Sequence, residues 1–383
     1  MKRFHLFLLP LLATWFFLCK KNNDTEFKKQ ILGEWKFVKY CDSTKQKDML
    51  LLLPPPEHRA QGFEFLNNGL CNNKLGIFIY KKYKKEDNLR YYGGEKTRYK
   101  IEDDSLEVYY PETKKWRSDK IYSITKDTLV LKISDSLYTK YARLRYMIDP
   151  KERYDKIIVS SSGCYGSCPI TNISISNNGS VIYNGFNYTT KNGLYTSKIS
   201  GRQYLEMENN FKKAGISKLE NDYQATHTDD QTITVTFIKN NRIYKTISDY
   251  GSESPAEFQW AYRPVIFLHQ HLNLKGLKTE VPEIPQTFKW ELEFETATKV
   301  CYLTKSESFF LGTELLKGNL TNVKFAPKYT IEYWDGDKKQ NIFTDGRCFT
   351  FTTKNKSKTI DLGYNFLEQN NLLQKFKNKK KID

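Results

Sequence analysis

The sequence predicts a mainly β protein with α+β content: an antiparallel barrel or sandwich, then a small α+β domain, then a β-rich C-terminal segment. Three observations carry that reading. Aromatic side chains make up 15% of the 383 residues, a content that favours strand-rich cores. Between Ile31 and Leu144, short aromatic and aliphatic runs recur at near-regular spacing and are divided by polar turn pairs. Helix start signals concentrate in the middle of the chain, where they alternate with strand patterns.

The N-terminus comes first. Lys2 and Arg3 precede an apolar run from Leu6 to Leu18, and Cys19 follows with Lys20 and Lys21. This is the shape and length of a signal peptide, short for a membrane-spanning helix. A cysteine at its end resembles a bacterial lipoprotein signal, which implies that Cys19 is lipidated and that residues 1–19 are the signal. Leu18 is larger than the small residue such signals prefer, so an uncleaved N-terminal anchor is the alternative. Either form places the body outside the cytoplasm, in the cell envelope, with the outer membrane as the expected site of a lipid anchor.

The first folded segment is expected over residues 31–146. Phe63 to Leu66 leads into Asn67-Asn68-Gly69, and Arg98 to Glu102 into Asp103-Asp104. Leu106 to Tyr110 follows, then Ile121 to Ile124, Lys126-Asp127 and Leu129 to Ile133. Seven or eight such strands close naturally into a barrel or sandwich. Gly33-x-Trp35 in the first strand and Arg143 in the last resemble the lipocalin-like domains of bacterial lipoproteins. That resemblance implies that Gly33 lets the entering chain turn, Trp35 plugs the barrel base and Arg143 lies over the indole as a cation-π contact. It also admits a small apolar ligand in the interior, although small barrels are often filled by their own side chains. Leu50 to Leu53 with Pro54-Pro55-Pro56 interrupts the pattern and reads as a loop with an apolar patch.

The second segment, residues 154–274, is organised around Gly163-Cys164-Tyr165-Gly166-Ser167-Cys168-Pro169. Two cysteines four apart meet only if the residues between them turn tightly, and glycine and proline allow that. A structural disulfide is the simplest product, while redox or metal chemistry stays open. The segment CYGSCP, followed by a strand, Asn177-Asn178-Gly179 and a second strand near Tyr183, resembles the C-x-G-x-C-P family of bacterial envelope proteins of unknown function. The resemblance implies a fold and a location and no activity. Further along, Ser200 with Gln203 has capping-box spacing, with Tyr204, Met207, Phe211 and Ala214 at helical intervals behind it. Ile233, Val235 and Phe237 alternate with threonines, Asn240-Asn241 turns the chain, and Ile243 to Ile247 returns. A second capping box is expected at Ser254-Pro255-Ala256-Glu257, and Pro264 should kink or split the helix it opens. The helices are expected to cover one face of an antiparallel sheet.

The third segment, residues 286–377, follows Pro282 and Pro285. Phe288, Trp290, Leu292 and Phe294 alternate with charged residues as a half-buried strand should. Tyr329 to Trp334 with Asp335-Gly336 predicts a hairpin. Tyr364 to Phe376 has the spacing of a short amphipathic helix, with a lysine-rich tail.

With Cys19 set aside, the remaining cysteines fall two to a segment: Cys41 and Cys71, Cys164 and Cys168, Cys301 and Cys348. In an exported chain this distribution suggests disulfides within segments, with free buried thiols as the alternative. A lesser alternative gathers Cys164, Cys168, His227 and Asp229 around a metal ion, with Asp230 and Asp249 as further polar candidates. His269 and His271, two apart, face away from each other if that stretch is helical. Asp335-Gly336-Asp337 lacks the further oxygen ligands of a calcium loop. No Gly-x-Ser-x-Gly elbow, His-Glu-x-x-His or phosphate-binding loop occurs.

Lysine and arginine number 61 against 44 acidic residues, a formal charge of +17. The lysines are scattered along the chain and not gathered into a recognition helix, so no nucleic-acid partner is expected. The composite expectation is a cell-envelope lipoprotein with a binding or structural role and no cofactor. Its partners would be the membrane through its anchor and either a small apolar ligand or an envelope protein. The alternative from another class is a thiol-redox or metal-dependent enzyme centred on Cys164 and Cys168.

Overall fold

The computed structural model describes residues 23–42, 59–82, 88–352 and 357–379. Cys19, the apolar run before it and the Leu50–Pro56 loop lie outside the described residues. The protein is mainly β, with 43% strand and 19% helix. It divides into two compact units. Met1–Leu52, Gly62–Asn72 and Lys96–Leu144 make the first; Leu53–Gln61, Asn73–Glu95 and Arg145–Asp383 make the second.

The first unit is a closed barrel of eight antiparallel strands. In chain order the strands of this region are β1 (Gly33–Asp42), β2 (Gly62–Phe65), β3 (Leu70–Asn73), β4 (Phe78–Lys82), β5 (Asn88–Tyr92) and β6 (Lys96–Glu102). They are followed by β7 (Ser105–Tyr110), β8 (Lys115–Ile124), β9 (Thr128–Lys132) and β10 (Leu137–Arg143). The barrel order is β1-β10-β9-β8-β7-β6-β3-β2, so β4 and β5 stand outside it as a two-stranded ribbon. Alternation decides which side chains enter: Thr97, Tyr99 and Ile101 on β6, Leu106 and Val108 on β7, Leu129 and Leu131 on β9 are all buried. Bulges at Val38 and Tyr122 interrupt the ladders of β1 and β8, turn those side chains outward and add the local twist that closure requires. The interior is filled by its own aromatic residues. Phe65 meets Tyr99 edge-on at 4.9 Å and Phe37 meets Tyr141 at 6.1 Å.

Helix α1 (Asp24–Gln30) precedes the barrel. Its Asp24 carboxylate accepts from the amides of Asp103 and Asp104, two left-handed residues that turn β6 into β7.

The second unit is built on an eight-stranded sheet. Its strands are β11 (Lys156–Ser161), β12 (Thr171–Ser176), β13 (Ser180–Gly185), β14 (Gly193–Lys198), β15 (Asp222–Gln224), β16 (Thr232–Lys239), β17 (Arg242–Tyr250) and β18 (Lys275–Gly276). The order is β15-β17-β16-β11-β12-β13-β14-β18, antiparallel except for the β15–β17 pair. Helices α2 (Gly201–Lys213) and α3 (Ala256–Ile266) pack over one face, on Ile157, Val159, Ile173, Val235 and Phe237. Ser200 and Gln203 form the expected reciprocal capping box of α2.

The start of α3 differs from the expectation. Pro255 is the N-cap and makes no side-chain cap, and Ser254 instead gives its hydroxyl to the buried Asp249 at 2.5 Å. Asp249 also accepts from the amides of Glu253 and Ser254 and from the Tyr262 hydroxyl, so one carboxylate holds the turn before the helix and ties it to Tyr262 within the helix. The helix continues two residues past Pro264 before a 3-10 turn takes over.

The sheet is covered on both faces, not one. The C-terminal segment contributes α4 (Ile284–Thr287) and α5 (Lys305–Leu315), and α5 lies against β11, β12 and β16. Ile158 and Ile238 thus join a second core with Phe288, Phe309 and Phe310. That explains why β11 is buried along nearly its whole length.

The last strands are β19 (Glu293–Glu295), β20 (Lys299–Tyr302), β21 (Asn319–Thr321), β22 (Tyr329–Asp335), β23 (Lys338–Thr344), β24 (Cys348–Thr352), β25 (Ser357–Asp361) and β26 (Lys377–Asn378), in one sheet. β22 and β23 form the hairpin expected at Asp335-Gly336, with Gly336 left-handed. Of the alternating stretch from Phe288 to Glu295, only Glu293 to Glu295 are in a strand. Pro285 lies in the first turn of α4, Phe288 closes that turn against Pro285, and the Leu292 amide bonds to Ser308 Oγ instead of to a strand. The stretch from Tyr364 is α-helical only over Phe366–Gln369 (α6), because Asn370 ends the turn and Asn371 is left-handed; a separate 3-10 turn follows at Leu373–Lys375.

Candidate functional site

The Gly163–Pro169 loop joins β11 to β12. Cys164 and Cys168 are bonded, with an S–S distance of 1.95 Å and Cα atoms 5.8 Å apart. Gly163 has no left-handed backbone; it is small because a Cβ there would stand 3.3 Å from Ile170 Cδ1. The base of the loop is pinned by buried polar groups. Ser161 Oγ donates to the Pro169 carbonyl at 2.7 Å, and Gln231 Nε2 donates to the carbonyls of Ser162 and Pro169 at 2.8 and 3.0 Å. The Tyr165 amide donates to the Asp229 carbonyl at 2.8 Å, while the Tyr165 side chain at the tip is 92% exposed.

The structure therefore brings His227 to Asp230 alongside the cysteine loop, but in other roles than ligation. Asp229 is left-handed and offers its backbone carbonyl. His227 Nε2 pairs with Asp230 Oδ2 at 3.1 Å on the surface. Both sulfurs are spent on each other, so neither is a thiolate for a metal. Among the described residues no group of three or more His, Cys, Asp or Glu could hold a metal ion. His269 and His271 sit on a 3-10 turn and go separate ways: His269 is buried and stacks on Tyr183 at 5.0 Å, while His271 Nε2 meets the Tyr92 carbonyl.

The other expected pairs are corrected. Cys41, Cys71, Cys301 and Cys348 are free thiols. Cys41 is on β1 and Cys71 on β3, with β2 between them; Cys301 on β20 and Cys348 on β24 have three strands between them. Each intervening strand adds about 4.8 Å, so even two spacings exceed the reach of a disulfide. Burial pushes the Cys71 thiol up to about 12 and the Cys301 thiol up to about 11.

Gly33, Trp35 and Arg143 meet in the barrel. Gly33 is left-handed, and a Cβ there would come within 3.0 Å of Arg143 Nη1. The arginine also donates to the carbonyls of Lys126, Leu32 and Gln30.

Beside the disulfide lies a cleft of about 290 Å³ lined by Cys168, Asp230, Arg263, Phe267 and, from the β4–β5 ribbon, Phe78 and Arg90. The ribbon is locked to the 3-10 turn after α3: Gln270 bonds both the Tyr92 amide and the Arg90 carbonyl at 2.8 Å, and Phe78 packs on Phe267 at 5.2 Å. Arg90 lies 4.6 Å over the Phe78 ring with its Nε buried and, among the described residues, without an acceptor. Arg263 spends one nitrogen on the Leu75 carbonyl at 3.0 Å. The cleft thus carries two guanidinium groups against one carboxylate already held by His227, and favours anionic or hydrogen-bond-accepting groups. Neither arginine was singled out from sequence, where nothing marks a lone arginine in a surface ribbon as part of a site 70 or more residues downstream.

Fold and site together define a strand-rich protein with a filled eight-stranded barrel and a second unit that carries a disulfide-closed loop. Residues 155–269, well under half of the chain, match the model of a family described as a domain of unknown function, DUF6438. The match spans the cysteine loop. No curated protein matches the chain. Two solved structures of the Helicobacter pylori beta clamp align with it, one bound to a DNA ligase peptide and one in complex with carprofen. The first is 6% identical over 88% of this chain and 93% of that one, with a TM-score of 0.13. The second is 8% identical over 70% and 88%, with a TM-score of 0.12. At such scores neither likeness bears on fold or function.

Proposed function

We propose that this protein is a cell-envelope lipoprotein, anchored through Cys19 in the bacterial outer membrane, whose role is non-enzymatic binding or envelope structure. The observation that carries the binding part is the construction of the cysteine loop. A half-exposed disulfide is held at its base by Ser161 and Gln231 and forms one wall of a cleft containing the unpaired Nε of Arg90. A wall pinned in this way presents its surface without an ordering cost on binding. The C-x-G-x-C-P spacing and the signal-like N-terminus support the location. The test is metabolic labelling with a fatty-acid probe, together with membrane fractionation. Wild type should carry the label and sediment with the envelope, and Cys19→Ser should lose both. Equal labelling of the two proteins would refute the anchor.

A thiol-redox role is the second reading, favoured by Cys168 and Arg263 lining the same cleft. A nearby cation lowers a thiol pKa. Alkylation of the mildly reduced protein against pH separates the two. Thiols titrating near about 8.5 support the structural disulfide, and a thiolate already present at neutral pH supports redox chemistry.

A further inference from the structure

The opposite face of the central sheet holds a second cavity, of about 660 Å³, between the β13–β14 edge and the turn that leads into α5. Its walls include Asn184, Phe186, Gln286, Lys289 and Lys305, and no carboxylate lines it. Two of these groups are out of place in a sealed core. Lys305 is 9% exposed, yet among the described residues it makes no hydrogen bond or ion pair; the Phe186 ring stands 5.9 Å from Nζ, and Glu291 is a carboxylate close enough to act on its charge. Asn184 is 3% exposed and its Oδ1 has no donor among the described residues. An ammonium that reaches the cavity without a hydrogen-bond partner and a buried amide oxygen without a donor are each relieved by a ligand group of the matching kind. Burial lowers Lys305 to about 8, opposed by the charge of Glu291, so the side chain is still mostly cationic at neutral pH.

The alignment of these groups follows from the sheet. Asn184 pairs with Asn172 on β12 and Leu194 on β14, on the face that α5 covers. Asn172 donates through Nδ2 to the Phe288 carbonyl at 2.9 Å, which fixes the turn before α5 against the sheet. The Thr304–Glu307 capping box then sets the first turn of α5 and with it Lys305 at the cavity wall. A cation, an acceptor in need of a donor, and side-chain amides at Gln286, Asn187 and Asn192 surround one space.

We propose that this cavity binds a small organic carboxylate that also carries hydroxyl groups, the chemistry of a sugar acid. The carboxylate accepts from Lys305 Nζ, a hydroxyl donates to Asn184 Oδ1, and the surrounding amides take the remaining hydroxyls. The inference is independent of the cleft beside the cysteine loop.

The experiment uses the full chain and D-glucuronate as probe, with glucose, acetate and inorganic phosphate as comparisons. Calorimetry should show saturable binding of glucuronate at one site, weaker binding of acetate and phosphate, and none of glucose. Lys305→Met should weaken glucuronate binding about tenfold or more, as expected for the loss of a charge-assisted contact. Asn184→Leu should erase the preference for glucuronate over acetate. Reductive methylation mapped by mass spectrometry should proceed at Lys305 in the free protein and slow when glucuronate is present. Thermal unfolding without ligand serves as the fold control, and Lys305→Met should melt near the wild-type temperature because Lys305 makes no hydrogen bond or ion pair among the described residues. Glucuronate that fails to bind, that binds Lys305→Met as well as wild type, or that leaves Lys305 methylation unchanged would overturn the proposal. Phosphate or acetate binding as tightly as glucuronate would also overturn it.

Discussion

The Arg143 guanidinium lies 4.1 Å from the centroid of the Trp35 ring, and the indole Nε1 donates to the Ile31 carbonyl at 2.6 Å. First strand, last strand and the end of α1 are thereby tied at one point of the barrel. Trp35 is fully buried, so Trp35→Ala should cost about 3–5 kcal/mol. Arg143→Met keeps the stem and loses the charge and its carbonyl contacts, and should cost about 1–2 kcal/mol. Urea unfolding followed by a barrel probe checks both. An Arg143→Met protein as stable as wild type would show that the contact is incidental.

His269 makes the second unit sensitive to acid. Its Nδ1 meets the Ile266 carbonyl at 3.1 Å, its Nε2 has no partner, and burial lowers it from 6.5 to about 4, with a small further push from His271. A histidine whose folded pKa is depressed binds fewer protons folded than unfolded between those values. Its stability is complete above pH 6.5 and is lost as pH falls toward about 4, up to about 3 kcal/mol. His269→Phe keeps the stack on Tyr183 and should flatten that part of the stability profile. Parallel profiles for the two proteins between pH 7 and 4 would rule the effect out.

Removing both loop sulfurs, with Cys164→Ser and Cys168→Ser together, should cost about 2 kcal/mol, small because the closed loop is short. Ser161 and Gln231 hold its base independently of the bond. Hydrogen exchange should therefore quicken at Tyr165 to Ser167 and stay unchanged in β11 and β12. Loss of protection throughout the sheet would mean that the bond supports more than its own loop.

Gly312 is in α5 with ordinary helical angles, where alanine would gain about 1 kcal/mol of helix propensity. A Cβ there would stand 2.1 Å from Phe288 Cε1, and Phe288 is itself buried against Phe309. Overpacking of that kind costs about 1–3 kcal/mol, so the clash outweighs the propensity and Gly312→Ala should destabilise. Adding Phe288→Leu should restore part of the loss. A neutral Gly312→Ala would show that the aromatic ring is free to move.

Native-state labelling with a small maleimide should leave Cys71 and Cys301 unmodified until the protein unfolds, since both are buried and poorly ionised. Rapid modification of either in the folded protein would contradict the packing of its strand.

Local chemistry determined much of this protein from sequence alone. The Asn-Asn-Gly and Asp-Asp turns, the Ser200–Gln203 box, the Asp335-Gly336 hairpin and the tight Cys164–Cys168 loop each depend on residues a few positions apart. Period-two alternation marked the barrel strands for the same reason. The signal for α5 was also present in Thr304-x-x-Glu307, but the helix is buried all round and shows no polar face by which periodicity could find it. What tertiary structure alone decided is which distant surfaces meet. Strand order separates Cys41 from Cys71, Asp249 takes the Ser254 hydroxyl that a capping box would have used, and the β4–β5 ribbon leaves the barrel to line a cleft with Arg90. Lys305 and Asn184 lie 121 positions apart and share a cavity only because α5 is laid across the sheet. Pairing, burial and electrostatic neighbours at such separations are set by how whole sheets and helices pack, and no local pattern encodes them.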